Sequence, residues 1–88
     1  MSKRKTALFQ SEFIDDLKYW VKTDRKIAIR IIDLVEEILR DPFRGIGKPE
    51  SLKYLAENVW SRRITQEHSL VYLIKKTEIH FLQCRYHY

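Results

Sequence analysis

Cysteine is almost missing from this 88-residue chain, where Cys84 stands alone. An internal disulfide is therefore excluded, and so is a cysteine cluster around a metal. Glycine and proline are nearly as scarce: there are two of each, and all four lie between Asp41 and Glu50. The one obvious loop is thereby confined to a single place, and the rest of the chain is free of strong breakers. Long apolar runs are also lacking. Only Ala7-Leu8-Phe9 follows the basic start before polar residues return. That is too short for a signal peptide or a membrane span, which predicts a cytoplasmic protein with no membrane partner. No glycine-rich phosphate loop, serine-nucleophile signature or metal-ligand spacing is present, and the three histidines lie far apart. Neither a metal nor a cofactor is expected. Nothing repeats and no linker divides the sequence, so residues 1–88 read as one domain.

What the chain does have is positive charge. Seventeen Lys and Arg oppose 12 Asp and Glu, a formal +5. Such a balance favours polyanions, whether RNA, DNA or an acidic protein segment. Apolar residues at 44% and charged residues at 33% describe a globular chain and exclude a disordered one.

Thr6-Ala7-Leu8-Phe9 predicts a short first strand. Ser11 is placed to cap a helix in which Phe13, Leu17, Trp20 and Val21 recur at helical spacing, with Asp15, Asp16 and Lys18 facing outward. Thr23-Asp24 breaks that helix and offers a cap for the next. There Ile27, Ile31, Leu34 and Ile38 form a stripe widened by Ala28, Ile32, Val35 and Leu39. This second helix should end before Asp41-Pro42. Three strand signals follow the loop, at residues 59–65, 69–74 and 79–82, with connections short enough for hairpins. Helices first and strands second predict an α+β domain. A short N-terminal strand and two antiparallel helices pack on one face of an antiparallel sheet, and the other face stays free to bind.

The residues that offer chemistry are few. The chain runs from an apolar segment into Cys84-Arg85-Tyr86-His87-Tyr88, and a terminal histidine is either a frayed surface residue or a general acid tuned near neutrality. Glu50 closes the Gly/Pro loop, where Lys48 and Lys53 flank it in sequence and can hold it ionised; its plain reading is a solvated loop carboxylate. Arg62 and Arg63 are adjacent on a predicted strand, so one should lie on the free face while the other pairs with helix carboxylates. Trp60, Tyr72 and Phe81 read as core, Cys84 as a small buried hydrophobe, and His80 as half-buried and structural. His68 lies in a hairpin turn, and its role is open.

Taken in order, Gly45-x-Gly47-Lys48-Pro49-Glu50-x-Leu52-Lys53, Trp60-Ser61-Arg62-Arg63-Ile64-Thr65-x-Glu67-His68-x-Leu70-Val71-Tyr72 and the terminal Cys84-Arg85-Tyr86-His87-Tyr88 resemble the YoeB/Txe toxins of the RelE/ParE superfamily. Tyr19-Trp20 and Asp41-Pro42-Phe43 extend the resemblance into the first half. It implies a RelE-like microbial RNase fold and a ribosome-dependent, metal-independent endoribonuclease that cuts messenger RNA in the A site of the 70S ribosome. Glu50 is then the general base and His87 the general acid, with Tyr88 supporting the terminus. Lys48, Lys53, Arg62, Arg63 and Arg85 are the implied RNA contacts. The implied partners are a YefM-like antitoxin with a disordered C-terminal segment, operator DNA reached only through the antitoxin complex, and a second copy in a homodimer.

One position departs from the pattern. Ser69 stands where the family carries a catalytic arginine. Serine supplies one hydrogen bond and no charge, so either activity is attenuated or Arg63 or Lys53 takes over. Two other classes stay in view: a non-catalytic binding module that works through antitoxin and operator DNA, and a relative of the gyrase-poisoning branch. Glu50 with His87-Tyr88 argues against the last.

Overall fold

Thr6–Phe9 forms β1, and a computed structural model describes this chain over residues 4–86. Helix α1 spans Ser11–Thr23 and α2 spans Arg25–Arg40. The Asp24 carboxylate accepts from the Ile27 amide at 3.4 Å and starts α2 as expected, whereas Ser11 does not cap α1. The N-cap of α1 is Gln10, whose side chain makes no capping bond. Helix α2 buries Ala28, Ile31, Leu34, Val35 and Ile38, while Ile32 at 48% exposure lies outside the stripe. In α1 only Phe13 and Trp20 are buried. Val21 points outward, and Asp16 is half-buried rather than facing solvent.

Four strands follow the helices: β2 at Glu50–Ser51, β3 at Val59–Arg63, β4 at Ser69–Ile74 and β5 at Glu78–Gln83. They form one sheet in the order β1-β5-β4-β3-β2. Three pairings are antiparallel, but β1 runs parallel to β5, so the sheet is mixed and not purely antiparallel. The reason lies in the route of the chain. Two helices separate β1 from the rest, and a crossover of that length lets a strand join an edge in the parallel sense. The β4–β5 register slips between Val71 and Tyr72, where Leu82 is the extra residue of a bulge.

Both helices cover one face of the sheet. Ile64, Leu70, Tyr72, Ile74, Ile79, Phe81 and Cys84 pack there against Phe13, Trp20 and the α2 stripe. The other face is not wholly free. Leu52 folds back over Val59 and Val71, with Leu73 and Leu82 beside them, and makes a second small apolar cluster. The polar remainder of that face carries Glu50, Ser61, Arg63 and Ser69.

Candidate active site

Strand alternation decides the fates of the two adjacent arginines. Arg62 shares the helix side with Tyr72 and is fully buried. Its Nη2 donates to the carbonyls of Asp41 at 2.6 Å and Arg44 at 2.9 Å, and its Nη1 donates to Ile46 at 3.2 Å. Its Nε reaches the Tyr72 hydroxyl at 3.3 Å, which in turn donates to the Pro42 carbonyl at 2.7 Å. The expected RNA contact by Arg62 is thus corrected. Loop 41–46 turns its carbonyls inward, buried carbonyls need donors, and the guanidinium fork is spent on them. The pairing with helix carboxylates expected of the inward arginine is likewise replaced by pairing with loop backbone. Gly45 fits this arrangement, with φ at +134°, and a Cβ there would stand 2.6 Å from Arg62 Nη1. Burial pushes the Tyr72 hydroxyl up from its ordinary value, against the pull of the Arg62 hydrogen bond and charge, so it stays a protonated donor.

Arg63 faces away from the helices and is exposed. Its amide donates to the Gly47 carbonyl at 2.6 Å, which lays the loop along β3. Directly across β3 and β4 it pairs with Ser69, and one row further on Glu50 pairs with Ser61. Directly opposed residues project to the same face of a sheet, so Glu50, Ser61, Arg63 and Ser69 share one surface. Ser69 is nearly sealed there, at 6% exposure. Lys48, exposed and at φ +50°, lies two residues before Glu50. Lys53 sits elsewhere: with Phe43, Ser51, Glu57, Asn58 and Trp60 it lines a cleft of about 530 Å³ at the β2 edge. Ser51 and Trp60 face away from Glu50, so the structure does not bring Lys53 to the Glu50 surface.

Residues 84–86 are gripped one by one. The Cys84 amide donates to Asp16 Oδ2 at 3.0 Å, and the Trp20 indole Nε1 donates to the Cys84 carbonyl at 2.9 Å. Burial raises the Cys84 thiol far above its ordinary value, with the Asp16 charge adding to the effect, so this cysteine is an inert hydrophobe. The Arg85 guanidinium stacks 3.4 Å from the centroid of Tyr19 and 4.6 Å from that of Tyr86. Its Nε is buried with no hydrogen-bond partner among the described residues. Stacking on these two rings ties half-buried Arg85 to α1 and to Tyr86. The Tyr86 amide donates to His68 Nδ1 at 2.7 Å, and its carbonyl accepts from the Ser69 amide at 3.2 Å. His87 and Tyr88 lie outside the described residues.

The core reading of Trp60, Tyr72 and Phe81 and the half-buried reading of His80 hold. Tyr72 and Phe81 are fully buried, and half-buried Trp60 packs edge-on against Phe43. His80 is half-buried and bonded to Glu78 at 2.9 Å. Asp16, Trp20 and His68 hold residues 84–86, a role that sequence reasoning did not assign them. The only available signal was the indole N–H of Trp20, which needs a partner when buried. Among the described residues no group of three or more His, Cys, Asp or Glu could hold a metal ion.

A family model described as YoeB-like toxin of bacterial type II toxin-antitoxin system matches residues 9–88. Toxin YoeB of Escherichia coli K12 is 44% identical over 81 residues, covering 92% of this chain and 96% of that toxin. The solved YoeB/ParE toxin from Agrobacterium tumefaciens superposes with a TM-score of 0.89 at 39% identity, over 94% of this chain and 99% of that one. A YoeB dimer from Staphylococcus aureus gives 0.87 at 38% identity, over 98% of this chain and 100% of its own. The same organism's heterotetrameric YoeB-YefM toxin-antitoxin complex gives 0.83 at 38% identity, with the same coverage. With the matched profile running through the loop, the arginine pair and the terminal segment, the chain belongs to the YoeB-like toxins of bacterial type II toxin–antitoxin systems.

Proposed function

We propose that this toxin is a ribosome-dependent messenger-RNA endonuclease working by general acid–base catalysis in the ribosomal A site. The observation that carries the reading is the convergence at Ser69. Arg63 stands opposite it, Glu50 shares its face, and its amide holds the carbonyl of Tyr86, the residue before His87. In this reading the Glu50 carboxylate takes the proton from a ribose 2′-hydroxyl, whose oxygen then attacks the adjacent phosphorus. His87 gives its proton to the departing 5′-oxygen, and the products are a 2′,3′-cyclic phosphate and a free 5′-hydroxyl. Each proton transfer contributes roughly 10²–10⁴ in rate. Lys48 and Arg63 supply the positive charge that the dianionic phosphorane needs, and Tyr88 supports the terminus. Lys53 serves as an outlying backbone contact from its cleft.

Ser69 weakens this machinery. Loss of one charged transition-state donor costs roughly 10²–10³ in rate. Arg63, directly opposite Ser69, is better placed to compensate than Lys53. The nearly buried, uncharged Ser69 also favours a second reading, a non-cleaving domain that acts through antitoxin and operator DNA. Mapping RNA ends after incubation with translating ribosomes separates the two. Cuts from the unaltered chain, or from Ser69→Arg alone, support the nuclease; no cuts from either support the binding module.

The partner follows from charge and from the relatives. A basic surface suits an acidic, disordered segment that folds on contact, and the Staphylococcus aureus relative is seen with YefM. A YefM-like antitoxin is accordingly the proposed inhibitor. Dimerisation of this chain is proposed from the dimeric relative.

A further inference from the structure

We infer that His68 is a positioning residue for the terminal segment: its neutral imidazole, as the Nε2–H tautomer, accepts the Tyr86 amide and so sets the direction in which the chain continues to His87. The role of His87 as the acid rests on the function proposed above; the tie itself does not.

Tyr86 has φ at +67°, a conformation that a tyrosine keeps only where its surroundings impose it. Two bonds impose it, one on each side of the residue: the amide to His68 Nδ1 at 2.7 Å and the carbonyl to the Ser69 amide at 3.2 Å. A backbone amide can only donate, so Nδ1 presents a lone pair and the ring proton sits on Nε2. The imidazole is itself held. It meets Trp20 edge-on at 4.7 Å and leans on Tyr86 at 5.5 Å. Its own carbonyl receives the amides of Ile64 at 2.9 Å and Thr65 at 3.1 Å, which fixes the turn that carries it. Trp20 also donates to the Cys84 carbonyl, so one indole braces both the ring and the strand it steers. The peptide bond after Tyr86 is planar, and its orientation determines where the next Cα begins. An anchor on Tyr86 therefore fixes the point beside Ser69 from which the chain continues.

The test uses the full chain and two variants. His68→Asn keeps an acceptor near the Nδ1 position, whereas His68→Phe keeps a ring against Trp20 but accepts nothing. Long-range proton–nitrogen spectra should show His68 as the Nε2–H tautomer. Hydrogen exchange at the Tyr86 amide should be slow, about tenfold faster in His68→Phe, and largely restored in His68→Asn. The His87 ring resonances should shift in His68→Phe only, and any cleavage measured on ribosomes should lose kcat with KM unchanged. An Nδ1–H tautomer in the unaltered protein overturns the inference, and this readout stands even if His68→Phe fails to fold. Unchanged Tyr86 exchange overturns it as well, as does lost protection with unmoved His87 resonances. A chain that cuts nothing sinks the nuclease reading alone, and the exchange and ring signals then decide the tie.

Discussion

Arg62 and Arg63 are neighbours on β3, and their replacement should have opposite consequences. Removing the Arg62 guanidinium takes the donor away from the carbonyls of Asp41, Arg44 and Ile46. At about 1–3 kcal/mol for each stranded acceptor, partly offset by entering water, Arg62→Ala should cost about 3 kcal/mol or more in urea unfolding. Arg62→Lys should recover little of this, because an ammonium cannot reproduce a planar fork. Arg63→Ala at its exposed site should move stability by about 0.5 kcal/mol or less while weakening ribosome binding. Cys84 gives a pH signature with a definite sign. Its folded thiol is raised above the ordinary 9.0, so both states are protonated below that value and the contribution is fully present at neutral pH. Stability should then fall as pH rises above 9, since the unfolded thiol ionises first. Tyr72 adds a fall of the same sign above its ordinary 10.0. Urea midpoints between pH 7 and 10.5 should show the decline, and Cys84→Ala should flatten its first part.

Among the elements, α1 and α2 differ at their starts. Asp24 caps α2, whereas Gln10 leaves α1 without a side-chain cap. Asp24→Ala should lower stability by about 0.5–1 kcal/mol, and Gln10→Asp should raise it by a similar amount, both measured by thermal or urea melts. The elements that could be read from the sequence are those whose signal is local. Thr6–Phe9 and Ser69–Ile74 fall where β-branched and aromatic residues cluster, and α2 stops at Arg40 because Pro42 follows. Strand β3 ends at Arg63, two residues earlier than expected, because the Ile64 and Thr65 amides turn to the His68 carbonyl. The two-residue β2 and the parallel pairing of β1 left no local trace, since both depend on where a distant strand passes. The site divides in the same way. Alternation said that Arg62 and Arg63 must part, but not which of them faces the core. The grip on Cys84 joins positions 64–71 apart in sequence, Asp16 and Trp20 to its backbone and Phe13 to its thiol, and no periodicity encodes such a distance.

On the scale of the whole molecule, a net charge of +5 makes salt the sharpest probe of what the Glu50–Ser69 face touches. Each phosphate neutralised by a protein cation releases counterions and steepens the fall of binding with salt by about 0.7–0.9 in the log–log slope. A ribosome presents many phosphates and an acidic antitoxin segment presents carboxylates only, so ribosome affinity should fall more steeply with potassium chloride than antitoxin affinity. Arg63→Ala should reduce the ribosome slope by about one phosphate's worth. Arg62→Lys, where the chain stays folded, should leave the slope alone, because that cation is buried against loop carbonyls and meets no solvent. Ser69→Arg should steepen it, since it adds a positive charge opposite Arg63 on the same face. Binding titrations across 50–300 mM salt, over which the screening length falls from about 14 to about 6 Å, read all three slopes in one experiment. If Arg63→Ala leaves the ribosome slope untouched, the Glu50–Ser69 face is not where the ribonucleic strand lies, and the acid–base assignment on that face fails with it.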